Sequence, residues 1–276
     1  GIVPEGVAGH SAGEVAAAWA AGAIGLEDAA RFALSRARAT AQLLGRGAAV
    51  AAFAPEDRVR EALPVGASIA AVNAPEEVVI SGDPSAVAEA VAKLEARGVR
   101  TRPLGPSDPF HSALVDPALP AIEGAAAELR HRAPAIEFVC SVGGELGPAY
   151  WPRQAREPVR LGDSIRTLRE KGFDAFVEIG PHPVLTALGR RSWPEGVPVV
   201  WAPSLREGRR PSRSMVEALG ALFEAGARVD WKAVLGSRAA RKVGLPTYPF
   251  ERERFWFDQL DDGVRVLAGP GARETI

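Results

Sequence analysis

The chain has 276 residues, 47% of them hydrophobic, which is enough for one large domain or two small ones around a buried core. Its 33 basic residues are balanced by 34 acidic ones, so charge marks out neither a nucleic-acid stripe nor an anionic-membrane patch, and neither partner is expected. The single cysteine, Cys140, cannot close an internal disulfide, no Cys/His spacing suits a metal, no apolar run reaches the roughly 18 residues of a membrane span, and the first residues lack signal-peptide order; a cytoplasmic protein is expected.

Residues 3–8 (VPEGVA) predict a short strand, with Pro4 and Gly6 confining its pairing to the end beside Ser11. The pattern then changes to a helix over 12–21, ended by Gly22, and to a longer amphipathic helix over 26–44 with acidic residues in its first turn. From 48 to 104 the order is strand (AAVAAF), helix (PEDRVREAL), strand (ASIAAVN), strand (EVVISG), helix (PSAVAEAVAKLEARG) and strand (VRTRPL), the split β-α-β of a ferredoxin-like module. Both helices open on a proline; Asp83 precedes the second and Gly98 closes it. A Pro-bearing loop (GPSDPFHS), a helix to about His131, a strand (IEFVCSV) and a loop carrying YWPRQAREPV come next. Helix 162–172, strand 174–179, the turn GPHP, helix 183–191 and strand VPVVWA follow, an alternation that implies a parallel sheet covered on both faces. A helix over 214–226, the segment VDWKAVL and the aromatic-rich GLPTYPFERERFWF lead into a tail that reads as a linker.

GHSAG, residues 9–13, is a G-x-S-x-G at a predicted strand-to-helix turn, where free backbone N–H groups can hold an oxyanion. Ser11 is then either a nucleophile or a simple N-cap, and the motif alone leaves both open. A nucleophile needs a base. His10 adjoins Ser11 and points away at a sharp turn, and His131 is expected to be solvated; His111 and His182 both fit on spacing alone. In helix 26–44, Asp28, Arg31, Ser35, Arg38 and Gln42 form the polar face, and Ala29, Phe32, Ala33, Thr40 and Leu43 the apolar one. Arg36 falls on the apolar face. A guanidinium there either snorkels or pairs with a structural carboxylate, or offers a fork to a substrate carboxylate.

These residues resemble the malonyl-CoA:acyl-carrier-protein acyltransferases, in the form found as a domain of modular type I polyketide synthases. GHSAGEVAAAWAAGAIGLEDAARFALSRAR is similar to that family's nucleophile segment, AAVNAPEEVVISGDP to its small-subdomain hairpin and PFHSALVDP to its histidine motif. YWPRQAREPVR, FVEIGPHPVL and GLPTYPFERERFW complete the order, the last resembling the linker after the domain.

The resemblance implies an α/β fold, a parallel-sheet, α/β-hydrolase-like large subdomain with an inserted ferredoxin-like small subdomain. The large subdomain would take 1–47 and 111–205, the small one 48–110, a post-acyltransferase helix and linker 206–257, and a linker to the next domain 258–276. It further implies Ser11 as nucleophile, His111 as its base, Ala12 as the oxyanion N–H and Arg36 as the holder of the extender unit's carboxylate. Gln154 matches the position whose main-chain carbonyl orients the histidine, and His182 becomes a fold residue. The reaction would be ping-pong transfer from acyl-CoA to the phosphopantetheine of an acyl carrier protein, with no bound cofactor or metal. Two departures bear on specificity. Where methylmalonyl users carry a Gln after the serine this chain has Ala12, and the signature before the histidine reads Asp108, Pro109, Phe110, with Phe110 resembling the malonyl type. Malonyl-CoA is therefore expected over methylmalonyl-CoA. The aromatics Tyr248, Phe250, Phe255, Trp256 and Phe257 would pack the linker onto the synthase body, beside a ketosynthase-side linker. Family members also begin with a strand and a Gln-bearing glycine-rich loop not present before Gly1, so a piece of a longer synthase, inactive alone, is one alternative; an esterase of the α/β-hydrolase class is another.

Overall fold

The computed structural model describes residues 1–105, 110–236 and 244–251. Strand β1 (Gly6–Ala8) pairs in parallel with β6 (Glu137–Val139), Gly6 opposite Glu137 and Ala8 opposite Val139. It leads through the GHSAG turn into α1 (Gly13–Ala20), which Gly22 ends with φ +75° while the Ala23 N–H reaches back to the Ala18 carbonyl. Helix α2 (Leu26–Thr40) follows, its last turn tightening to a 3₁₀ helix over Ala41–Leu43 within the predicted 26–44. Asp28, expected on the polar face, is buried instead and paired with Arg130 at 3.2 Å, whereas Ala33 is exposed.

The middle of the chain forms β2 (Ala48–Ala52), α3 (Glu56–Arg60), β3 (Ala67–Ala74), β4 (Glu77–Gly82), α4 (Pro84–Ala96) and β5 (Thr101–Pro103). The four strands make one antiparallel sheet in the order β3-β4-β2-β5, as the split β-α-β pattern requires. Asp83 caps α4 by accepting from the Ser85 and Ala86 N–H groups, with Pro84 at the first helical position. Val59, Val78, Ile80, Val87 and Leu94 fill this subdomain's core.

The chain returns through a 3₁₀ segment, Ala113–Ala118, and α5 (Leu119–Ala127). YWPRQAREPV, predicted as a loop, contains helix α6 (Tyr150–Arg156). Tyr150, Trp151, Gln154 and Ala155 are buried at i, i+1, i+4 and i+5, a helical stripe short enough to be hidden by Pro152, which the first turn tolerates. Helix α7 (Leu161–Glu170), β7 (Ala175–Glu178), α8 (Val184–Ser192), β8 (Val200–Pro203), α9 (Pro211–Glu224) and α10 (Trp231–Leu235) complete the described elements. The expected parallel sheet takes the form of two two-stranded pieces, β1-β6 and β7-β8. The inserted subdomain is tied to the rest by main chain: Val72 donates to the Val159 carbonyl at 2.8 Å and Val159 to that of Ala70 at 3.0 Å. Arg160 adds an ion pair to Glu56 at 2.9 Å.

Residues Gly1–Trp231 form one compact unit and Lys232–Ile276 a second. In the second, the rings of Tyr248 and Phe250 meet edge-on with centroids 5.0 Å apart; Phe255, Trp256 and Phe257 lie outside the described residues, as does the predicted linker 258–276. Among the described residues no helix is long and apolar enough to cross a membrane. Leu94 is fully buried in the inserted subdomain's core, so Leu94→Ala is expected to cost about 2–5 kcal/mol, read as a lowered midpoint in urea unfolding.

Candidate active site

The turn between β1 and α1 is shaped by two glycines with different reasons to be there. A Cβ on Gly9 would stand 2.1 Å from Glu14 Cα, so strand and helix cross too closely for any side chain. A Cβ on Gly13 would meet nothing within 4 Å. Between them Ser11 is held at φ +52°, and His111 at φ +58°; among the described residues no other non-glycine residue has positive φ. For L residues that region costs about 1–2 kcal/mol each, strain that persists only where surrounding contacts impose it.

Those contacts are specific. The Ser11 hydroxyl lies 2.8 Å from His111 Nε2, and His111 Nδ1 lies 2.9 Å from the main-chain carbonyl of Glu157. A carbonyl can only accept, so Nδ1 carries the proton and Nε2 is left to accept from Ser11. The His111 N–H donates to the Ala155 carbonyl at 3.2 Å. Helix α6 and the residue after it thus hold the imidazole. Burial first, and the nearby Arg36 charge second, lower the His111 pKa to about 4, so the ring is neutral and able to accept a proton at neutral pH.

The role expected of the Gln154 carbonyl falls mainly to Glu157, because α6 ends between them and turns the later carbonyl toward the ring. The Gln154 carbonyl makes a lesser contribution to the ring's basicity. Its fully buried side chain instead donates from Nε2 to the Ser11 carbonyl at 2.8 Å, pinning the turn from below.

Ala12, in helical conformation at the mouth of α1, has an N–H that donates to no group among the described residues, while those of Gly13 and Glu14 bond back to His10 and Ser11. Arg36 enters from α2, where Ala29, Phe32 and Thr40 share its buried face. It is 6% exposed, and its Nη1 has no hydrogen-bond partner among the described residues. Burial pushes its pKa down and the Glu14 carboxylate pulls it back up. The Phe110 ring lies beside it, 5.7 Å from the guanidinium carbon. Asp108 and Pro109 lie outside the described residues.

The other histidines stand elsewhere. His10 Nε2 lies 3.2 Å from Asn73 Oδ1 at the end of β3. His131, expected in solvent, is half-buried and accepts from Trp151 Nε1 at 3.0 Å. His182 is exposed in the GPHP turn, and the fold-holding group there is Glu178, whose carboxylate takes the N–H groups of Val184, Leu185 and Thr186 at the start of α8. Among the described residues no group of three or more His, Cys, Asp or Glu is gathered that would hold a metal ion.

Sequence reasoning missed Glu14, fully buried beneath the turn. The signal was present: Glu14 lies three and four residues before the buried Ala17 and Ala18, an acid on an apolar stripe just as Arg36 is a base on one.

The site thus gathers a serine, a neutral imidazole held by a carbonyl, a helix-mouth N–H that donates to no described group and a buried guanidinium whose Nη1 has no partner among the described residues. The family described as acyl transferase domain matches residues 1–228. The chain belongs to that family. It is 40% identical over 283 residues to polyketide synthase GfsA of Streptomyces halstedii, spanning 98% of this chain but only 4% of that relative. This acyltransferase domain is also similar in structure to the acyltransferase domain from the second module of the salinomycin polyketide synthase, with TM-score 0.84 and 39% identity, covering 90% of this chain and 60% of that one. The acyl-carrier-protein-S-malonyltransferase of Bartonella henselae superposes with TM-score 0.68 at 30% identity, covering 81% of this chain and 72% of that one. A hydrolase-type elbow would bring a carboxylate to His111 Nδ1, where this domain has the Glu157 carbonyl.

Two outcomes follow. Gly9→Ala should destabilise by at least about 3 kcal/mol because backbone must move, while Gly13→Ala should be neutral or stabilising by up to about 1 kcal/mol; thermal melts of the two separate them. Labelling of Ser11 by a serine-directed fluorophosphonate should lose rate on the acid side with a midpoint about 4, and Arg36→Ala should move that midpoint upward, since the largest cause of the low value after burial is gone.

Proposed function

We propose that this domain takes a malonyl-type extender unit from CoA onto Ser11 and passes it to the phosphopantetheine thiol of an acyl carrier protein. The observation that carries this reading is the buried Arg36 guanidinium with an unpaired Nη1 beside the Ser11–His111 pair. An unpaired buried charge is costly, and a substrate carboxylate in bidentate contact would relieve it.

In the proposed reaction Ser11 Oγ attacks the thioester carbonyl as its proton passes to His111 Nε2. The resulting imidazolium keeps its Nδ1–H on the Glu157 carbonyl, and the oxyanion is held by the Ala12 N–H. Collapse expels the CoA sulfur, which takes the proton from His111. The carrier's thiol then attacks the acyl-serine while His111 accepts its proton and returns it to Ser11 Oγ. No acidic third member is required, because the carbonyl fixes the tautomer without adding charge. Relatives that are polyketide synthases support a carrier-protein domain and an adjacent ketosynthase with its linker as partners.

Phe110 supports malonyl over methylmalonyl. Its ring flanks Arg36, and with a carboxylate seated on that guanidinium the ring would crowd an α-methyl group. Offered each CoA in turn, the protein should load malonyl faster than methylmalonyl, as read by intact-protein mass spectrometry, and Ser11→Ala should load neither. Faster methylmalonyl loading, or unchanged loading of Ser11→Ala, would overturn the assignment.

A further inference from the structure

Beneath the Ser11 turn lies a carboxylate that the proposed reaction leaves unused. Glu14 is fully buried and accepts three hydrogen bonds, from the Ser141 N–H at 2.8 Å, the Ser141 hydroxyl at 2.5 Å and the Tyr150 hydroxyl at 2.5 Å. Each partner belongs to a different part of the site's framework. Ser141 follows β6, the strand paired with the one that leads into Ser11. Tyr150 opens α6, the helix that supplies the Ala155 carbonyl to the His111 N–H and the Gln154 amide to the Ser11 carbonyl, and that ends where Glu157 meets Nδ1.

Resting on the acyl-transfer function proposed for this site, we propose that Glu14 is a positioning residue for the reaction: its carboxylate fastens α1, the helix that follows the Ser11 turn, to α6, the helix that holds His111, and so sets the distance between Ser11 and His111. Glu14 touches neither reacting atom and acts through Tyr150 and Ser141. Three donors, one of them a backbone N–H that can do nothing else, converge on the carboxylate; an alkyl side chain there leaves all three unmet, and an amide keeps the third contact only if the Ser141 hydroxyl turns from donor to acceptor. Glu14 has a second effect on the same site. Its negative charge raises the Arg36 pKa against burial, so it would moderate the positive pocket offered to an acyl carboxylate. Cys140 registers the same buried charge, with burial and Glu14 together pushing its thiol up to about 11, which keeps it an inert neighbour.

The test uses Glu14→Gln, close in shape but unable to accept all three bonds, and Tyr150→Phe, which leaves the carboxylate and removes one link. Both are made in the full-length protein, with active serines counted by the fluorophosphonate. The expected result is a kcat per titrated serine lowered roughly tenfold to a hundredfold in Glu14→Gln, the scale of a misplaced catalytic pair. KM for malonyl-CoA should stay unchanged or fall, because Arg36 has lost its counter-charge. Tyr150→Phe should lower kcat in the same sense, and the double variant should be less impaired than the two effects multiplied, because both act through one link. A carboxylate that only holds the fold would lower the melting temperature and the number of titrated serines but leave kcat per serine within twofold of the unaltered protein; that result overturns the proposal, and Tyr150→Phe delivers it even if Glu14→Gln does not fold. Failure of the acyl-transfer function is told apart by the unaltered protein, which would then take no malonyl group. In that event the rate of fluorophosphonate labelling still reads the Ser11–His111 geometry, about tenfold slower in Glu14→Gln if Glu14 positions the pair and unchanged if it does not.

Discussion

A guanidinium buried on the apolar face of a helix, with one of its N–H groups unmet, is the constraint around which this acyltransferase domain is arranged. Taking Arg36 out of water costs several kcal/mol, and among the described residues no carboxylate lies in hydrogen-bond contact to offset it. Glu14 pulls on it through space, enough to raise its pKa against the effect of burial without quenching the charge. The same positive charge helps to hold His111 neutral, which readies the imidazole to take a proton from Ser11. Entry of an acyl carboxylate would cancel that field, so the base would gain affinity for its proton as the substrate is seated. Recognition of the acyl group and readiness of the base are then two consequences of one charge.

The rest of the site is built from main chain. The imidazole is oriented by the Glu157 carbonyl and the His111 main chain by that of Ala155, the Gln154 amide pins the serine turn through the Ser11 carbonyl, and the Ala12 N–H is the group proposed to meet the oxyanion. Backbone groups cannot change rotamer, which suits residues kept at positive φ. Helix α6 and the residue that caps it supply the two carbonyls that hold His111, and the helix is short and buried, with Tyr150 and Trp151 nearly sealed in the core that α1, α2 and α5 share.

Much of this was legible in the sequence because it depends on local chemistry. The order of six elements from 48 to 104 carried the antiparallel subdomain, with Asp83 and Gly98 marking the ends of α4. Arg36 stood out as a charge on an apolar stripe, and the serine turn as two glycines around a strand-to-helix change. What could not be read depends on tertiary placement. Nothing in YWPRQAREPV tells a loop with a proline from a helix of about two turns whose stripe is buried by α5, and the carbonyl that faces His111 is fixed by where that helix stops. Asp28 and His131 look solvated by composition, yet each is met by a partner about a hundred or twenty residues away in sequence, Arg130 and Trp151. The parallel sheet was legible as alternation; its appearance as two separate pairs was not.

The central claim is that Arg36 is the seat of the acyl carboxylate, and the most direct measurement is the ratio of malonyl to acetyl loading on Ser11 from the two CoA thioesters in the unaltered protein and in Arg36→Ala. Removing one partner of a buried charge pair costs about 2–5 kcal/mol, so malonyl loading should fall by roughly thirtyfold or more while acetyl loading is kept or improved, and the preference should shrink accordingly. A malonyl-to-acetyl ratio unchanged by Arg36→Ala would contradict the account.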